Sequence, residues 1–256
     1  MNIFYFDHTL QGLLCAIFDA YKIKCFPDLL LAEGEIGPLI VDTTHTVETM
    51  SYKYQRVSQA LKKKLSPFAL TQIRYIWHAE TPESKMLLFR YLCKVLDSAK
   101  NIEKHYSDPD ILAVKKLAKK VSAERHYLMM FVRFNKTADD IYFAPVAPRY
   151  NVLPFIYRHF QQRFADQKWI IYDESRHYGY FFNGETIEEM TLLDDKDFLI
   201  NNKINATYLA EDEPQFTALW QKYIQALTIR ERINPKLQKR AMPTRFWKYL
   251  PETWTK

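Results

Sequence analysis

Apolar and polar positions divide this chain into stretches of different period. Asn2–Phe6 is a short apolar run that reads as a strand, and Asp7 ends it. Leu10, Leu13, Leu14, Ile17 and Phe18 then fall on one helical stripe, with Asp7 or Thr9 placed to cap it and Gly12 leaving room for another backbone to approach. Residues 25–47 are rich in turn formers (Pro27, Gly34, Gly37, Pro38) around one expected strand, Leu39–Asp42. Helical spacing governs the next stretch. Ser51–Leu65 carries Tyr54, Val57, Leu61 and Leu65 on one side, and Ser66 and Pro67 open a helix running to Trp77. Thr81, Pro82 and Glu83 open another, to about Ala99; Asp108 and Pro109 open a third, to Arg125, with Lys115, Lys116, Lys119 and Lys120 outward.

Beyond Arg125 the pattern changes. His126–Phe134 is almost continuously apolar and aromatic, which predicts a strand covered on both faces. A polar turn at Asn135–Asp140 leads to a return strand, Ile141–Val146. Leu153, Ile156, Tyr157, Phe160 and Phe164 then mark a helix with Pro154 in its first turn. Lys168–Tyr172 and His177–Phe182 make a second strand pair. The expected fold class is α+β: an antiparallel sheet built as hairpin–helix–hairpin over about 126–183, preceded by a strand–helix opening and a module of several helices. The expected organisation is one domain over 1–256, with sub-regions 1–50, 51–125 and 126–256. Residues 214–227 form a further helix (Phe216, Leu219, Trp220, Tyr223, Ile224, Leu227), followed by a tail dense in cations and aromatics.

Composition narrows the function classes. Five glycines in 256 residues leave no glycine-rich loop to cradle phosphate. No apolar run is long enough to span a membrane, and the first residues lack the basic stretch and cleavage site of a signal peptide. Cys15, Cys25 and Cys93 fit neither a disulfide framework nor a zinc site, so a reducing, cytoplasmic setting is expected. The charge is uneven. Residues 228–256 hold Arg230, Arg232, Lys236, Lys239, Arg240, Arg245, Lys248 and Lys256 against Glu231 and Glu252, an excess that equals the whole net charge of +6. Residues 183–214 are acidic instead, with Glu185, Glu188, Glu189, Asp194, Asp195, Asp197, Glu211, Asp212 and Glu213 against Lys196 and Lys203. Such asymmetry fits a polyanion partner, and equally an internal pairing of opposite patches.

No catalytic motif is visible. The seven histidines are scattered with no HxH or HxxxH pair, so neither a metal nor a cofactor is expected. Glu124 with His126, and His159 with Arg163, could form an acid–base or anion-holding pair, but such residues more often make a structural hydrogen bond and a solvated helix face. The tail is more informative. Arg240, Arg245 and Lys248 interleave with Phe246, Trp247, Tyr249 and Trp254, a composition in which cations reach phosphate and rings stack on unpaired bases. The competing reading docks those rings on the core and leaves the cations wet.

Several strings resemble a bacterial family described as probable DNA metabolism proteins. They are Tyr5–Tyr21, Glu124–Phe134, Tyr142–Pro148, Asn151–Phe164, Trp169–Asp173 and, most distinctively, Met242-Pro-Thr-Arg-Phe-Trp-Lys-Tyr-Leu-Pro-Glu252. Members of that family stand alone as partners of a putative DNA-repair radical SAM protein, or are joined to a uracil-DNA-glycosylase-like domain. The resemblance implies a role in DNA metabolism. It transfers neither activity, because no CxxxCxxC cluster occurs in the sequence. The expectation is an accessory protein of DNA repair or modification that binds nucleic acid, single-stranded or distorted DNA rather than plain duplex, or a DNA-processing partner. Its candidate site residues are Arg240, Arg245, Trp247, Lys248 and Tyr249, with Arg133 and Arg163 in the central unit. Two alternatives stand beside it: an adaptor for the radical SAM protein without DNA affinity, and a DNA-acting enzyme.

Overall fold

The computed structural model describes residues 1–193 and 195–254; of the charged residues named above, Asp194, Lys256 and the side chains of Asp195 and Lys196 lie outside the description. The chain is α+β and forms two compact units, residues 1–122 and 123–256.

In the first unit, β1 (Asn2–Phe6) is the middle of a three-stranded parallel sheet, between β2 (Leu29–Ala32) and β3 (Thr43–Thr46). Ile3 pairs with Leu29 and Phe4 with His45. The strand expected at Leu39–Asp42 is not formed. The pairing strands flank it, and Ile36, Leu39 and Ile40 stand in solvent. A three-residue apolar cluster in a turn-rich loop has no period that separates strand from exposed loop. The helix α1 (Leu10–Ile23) is capped by Thr9, whose hydroxyl accepts from the Gly12 N–H at 2.9 Å, and Asp7 Oδ1 in turn accepts from the Thr9 N–H and hydroxyl. Gly12 serves this knot rather than a passing backbone: a Cβ there would lie 2.1 Å from Asp7 Oδ1. The unit continues with α2 (Ser51–Lys64), α3 (Pro67–Trp77) and α4 (Ser84–Asp97). Buried beneath them, Asp19 meets Lys53 Nζ at 3.0 Å and His45 Nε2 at 3.0 Å.

The 23-residue helix α5 (Pro109–Phe131) starts in the first unit and ends in the second. It corrects the expectation of a strand at His126–Phe134. Glu124, Leu128 and Val132 are buried at helical spacing, while Tyr127 and Phe131, four apart, stack with centroids 5.9 Å apart and meet the Phe246 ring at 5.7 and 5.5 Å. A helix covered on two sides by apolar groups keeps no polar stripe, and its sequence then imitates a buried strand.

The second unit is centred on a five-stranded sheet in the order β4 (Asn135–Lys136), β5 (Tyr142–Val146), β6 (Trp169–Asp173), β7 (Tyr178–Phe182) and β8 (Ile187–Met190). Two hairpins flank α6 (Tyr157–Arg163), but the first strand of the first one, β4, lies where the sequence suggests a turn, and the sheet is mixed. The connection through α6 returns the chain in the same direction, so β5 and β6 run parallel, Tyr142 opposite Trp169. The acidic stretch is structured too. After α7 (Asp195–Phe198), β9 (Leu199–Ile200) and β10 (Lys203–Ile204) form a hairpin whose turn residues Asn201 and Asn202 both have positive φ, a conformation that asparagine tolerates. Ile204, Leu199 and Phe198 pack on Phe143 and Tyr172 of the sheet. Two last helices follow, α8 (Glu213–Leu227) and α9 (Pro235–Ala241). Among the described residues no helix is long and apolar enough to cross a membrane.

Candidate nucleic-acid interface

The tail from Met242 folds as two 3-10 turns, Thr244–Tyr249 and Pro251–Thr253. Phe246, Tyr249, Leu250 and Pro251 are buried. Phe246 fills the notch beside Tyr127 and Phe131, and the Tyr249 hydroxyl donates to Glu174 Oε2 at 3.1 Å. These two rings are therefore docked on the unit's own core. Arg245 is committed as well. Its guanidinium pairs with Glu124, a carboxylate only 3% exposed that also accepts from the Arg149 N–H at 2.9 Å. Trp247 is partly exposed, with its indole N–H donating to the Met242 carbonyl. Lys248 is exposed, 4.6 Å from the Tyr249 ring centroid, and Arg240 is exposed near the end of α9.

Arg133 follows the end of α5. Its NH1 donates to the carbonyls of Met130 and Val132, and its NH2 donates to Glu252 Oε1 at 2.8 Å. The other oxygen of Glu252 accepts from the Trp220 indole at 2.9 Å, and the Arg133 guanidinium lies 5.7 Å from the Trp220 ring centroid. Burial works to raise the pKa of Glu252, but the hydrogen bond from Trp220 and the pairing with Arg133 outweigh it and hold the carboxyl below its ordinary value. Glu174 and Asp173 move the opposite way. Burial raises Glu174 against the pull of Asn202, Lys248 and Tyr249, and raises Asp173 against its pairing with Arg176 at 2.9 Å.

These groups surround a cleft of about 840 Å³ within the second unit. One wall is a cluster of rings: Phe134 makes edge-to-face contacts with Phe160 at 5.7 Å and Phe164 at 5.5 Å, with Trp169 and Tyr142 beside them. The facing wall is the start of α8, through Phe216, Thr217 and Trp220. Glu213 anchors that helix start by accepting from Asn135 Nδ2 at 2.8 Å and from the Lys136 N–H at 3.0 Å. The cations on the lining are Arg133, Lys136 and Arg163. Lys136 pairs with Asp140, whereas Arg163, exposed at the end of α6, contacts only the Phe164 ring among the described residues. Two buried donors on the lining, Trp169 Nε1 and Arg133 Nε, have no hydrogen-bond partner among the described residues. A second cavity of about 260 Å³ shares Arg133, Asn135, Glu213 and Thr217 with the cleft and adds Lys203, Lys248, Tyr249 and Trp254, with Lys203 Nζ 3.5 Å from the Trp254 ring centroid.

Of the residues singled out from sequence, Arg133 and Arg163 thus share the larger cleft, and Arg133, Lys248 and Tyr249 share the smaller cavity. Arg240, Arg245 and Trp247 line neither. Sequence reasoning missed Phe216 and Trp220 as lining, and Lys136 and Lys203 as its cations. The available signal was the spacing of Phe216, Trp220 and Tyr223 on one helix face. Among the described residues no group of three or more His, Cys, Asp or Glu side chains is gathered as a metal ion requires.

Fold and site together define an α+β protein whose second unit carries an aromatic cleft with cations on its lining. The chain belongs to the DUF4130 family, described as a domain of unknown function, which residues 82–252 match. No curated protein matches the chain. Among solved structures it is similar to "pGpG-specific phosphodiesterase - PggH" from Vibrio cholerae at 10% identity and a TM-score of 0.36, over 88% of this chain and 99% of that one. Likeness at that level carries no argument about what this chain does.

Proposed function

We propose that this protein is an accessory factor of DNA repair or modification that binds single-stranded or distorted nucleic acid in the cleft of its second unit. The observation that carries the reading is the lining of that cleft, where seven rings stand with Arg133, Lys136 and Arg163. Rings stack on unpaired bases and cations meet the phosphates between them. The two unpartnered donors, Trp169 Nε1 and Arg133 Nε, support it, since a buried donor costs about 1–3 kcal/mol until an acceptor reaches it. Arg163 contacts phosphate in the cleft and Lys248 in the adjoining cavity, with Arg240 and Trp247 on the flank. Arg245 and Tyr249 hold the tail in place. The link to DNA metabolism rests on the resemblance described above, as does a radical SAM protein as the partner that supplies chemistry.

The test is fluorescence anisotropy with single-stranded and duplex oligonucleotides across a salt series. Single strands should bind more tightly than duplex, and Arg163→Ala should lower the slope of log K against log salt by roughly 0.7, the value of one single-strand phosphate contact. No binding at about 50 mM salt, where such contacts are strongest, would reject the reading.

A second reading, an adaptor without DNA affinity, is favoured by the exposure of Ile229, Ile233 and Leu237. Retention of the radical SAM partner together with no retention of DNA would select it. The enzyme reading gains nothing from the geometry: of Glu124, His126, His159 and Arg163, only Arg163 lines the cleft, and Glu124 is neutralised by Arg245.

A further inference from the structure

We propose that the aromatic face of α8 continues the cleft as a stacking track, so that a single strand with its first nucleotides in the cleft runs outward over Trp220 and Tyr223. This rests on the reading above and adds the path of the strand and the residues that hold it. Phe216, Trp220 and Tyr223 lie four and three residues apart, on one side of the helix. The first two line the cleft, and Tyr223 stands about a turn beyond it. Phe216 and Tyr223 are 57% and 55% exposed, large rings that the unit's own core leaves uncovered. The Trp220 and Tyr223 rings are neighbours, with centroids 5.7 Å apart and planes tilted by 31°.

Trp220 is held in advance of any ligand. Its N–H is fixed on Glu252 and a guanidinium lies over its ring, so little rotamer freedom is lost when a base stacks there. Exposed Arg163 supplies positive charge at the inner end of the track, where Arg133 is paired with Glu252, and exposed Lys222 adjoins Tyr223. Flat faces in series beside cations complement a chain of bases and phosphates. A duplex, whose base faces are already stacked, offers nothing for such a track to hold.

The test compares oligothymidines of two and of about eight nucleotides, the longer within the span that such surfaces cover. With the wild-type protein the longer strand should bind more tightly. Tyr223→Ala should weaken the longer strand about tenfold, as the loss of one stacking platform does, and leave the dinucleotide within twofold. Tyr223→Phe should restore the longer strand. If the wild type binds single strands but Tyr223→Ala leaves the eight-nucleotide strand unchanged, or weakens both lengths equally, the track is overturned and the cleft reading survives. If neither length binds the wild type, both fall. Since Tyr223 is more than half exposed, a thermal melt of Tyr223→Ala matching wild type separates lost binding from lost folding.

Discussion

Glu174 shows how single residues set the response of the second unit to pH. Its pKa is raised chiefly by burial. An acid with a raised folded-state pKa keeps its proton longer when folded than when unfolded, so stability declines as pH climbs from the ordinary carboxylate value through the raised one. Glu174→Gln should therefore raise the melting temperature at pH 8, and the gap from wild type should close as the buffer is taken down toward pH 4.5, the ordinary glutamate value. Thermal melts across that range check it; a gap independent of pH would show that the carboxylate is not the cause. Glu252 works in the other direction. Its lowered pKa stabilises the fold above the ordinary glutamate value, and that contribution is lost as acidification proceeds below it. The pair between Arg245 and Glu124 carries a lesson for mutagenesis. Removing Arg245 would strand a carboxylate only 3% exposed, at a cost of about 3–5 kcal/mol, so weakened DNA binding in such a variant would report unfolding. Lys248, exposed beside the Tyr249 ring, is the better probe of the tail's charge.

At the scale of elements, sequence patterning was a good guide wherever one face met the core. The helices α1, α2, α3 and α6, and the strands β1, β5, β6 and β7, lie within a few residues of where their periods and caps place them. It failed where both sides of an element were covered. The end of α5 carries Leu128 on one face and Tyr127 and Phe131 on another, leaving no polar stripe to reveal a helix. It also failed in the opposite case, α8, whose apolar stripe implied burial while Phe216, Leu219, Tyr223 and Leu227 are all more than half exposed. The cleft was legible only in part, because its rings come from the connection between α5 and β4, from β5, α6 and the residue after it, β6 and α8, and no local spacing joins positions so far apart in sequence. The two helices give a direct contrast. Leu128→Ala should cost about 2–5 kcal/mol, as large-to-small changes in cores do, whereas Leu219→Ala should stay within about 0.5 kcal/mol. Urea denaturation of both variants reads the difference, and comparable losses would mean that the face of α8 is covered in solution.

For the whole molecule, two compact units share one helix, with the boundary at residues 122 and 123 inside α5. Helical backbone is a poor protease substrate, while an exposed loop without hydrogen-bonded structure is a good one. Chymotrypsin under native conditions should therefore cut first near Leu39, between β2 and β3, where Ile36, Leu39 and Ile40 are open to solvent. Mass spectrometry of the first fragments checks this, and initial cleavage within 109–131 would show that the helix opens more readily than the loop. The two oppositely charged stretches are both folded. The acidic stretch is a folded hairpin and helix start, with Glu213 spent on anchoring α8, while the basic tail keeps Arg240 and Lys248 in solvent.

One carboxylate ties two parts of the cleft together. Glu252 holds the guanidinium of Arg133 with one oxygen and the indole of Trp220 with the other. Charge and stacking surface, the two properties on which recognition in the cleft would depend, are thus mechanically yoked. Replacing either Arg133 or Trp220 alters the environment of the other through their shared tether. Engineers would meet the same constraint as epistasis: a substitution at 133 that is tolerated with Trp220 in place will have a different effect once position 220 or 252 has changed.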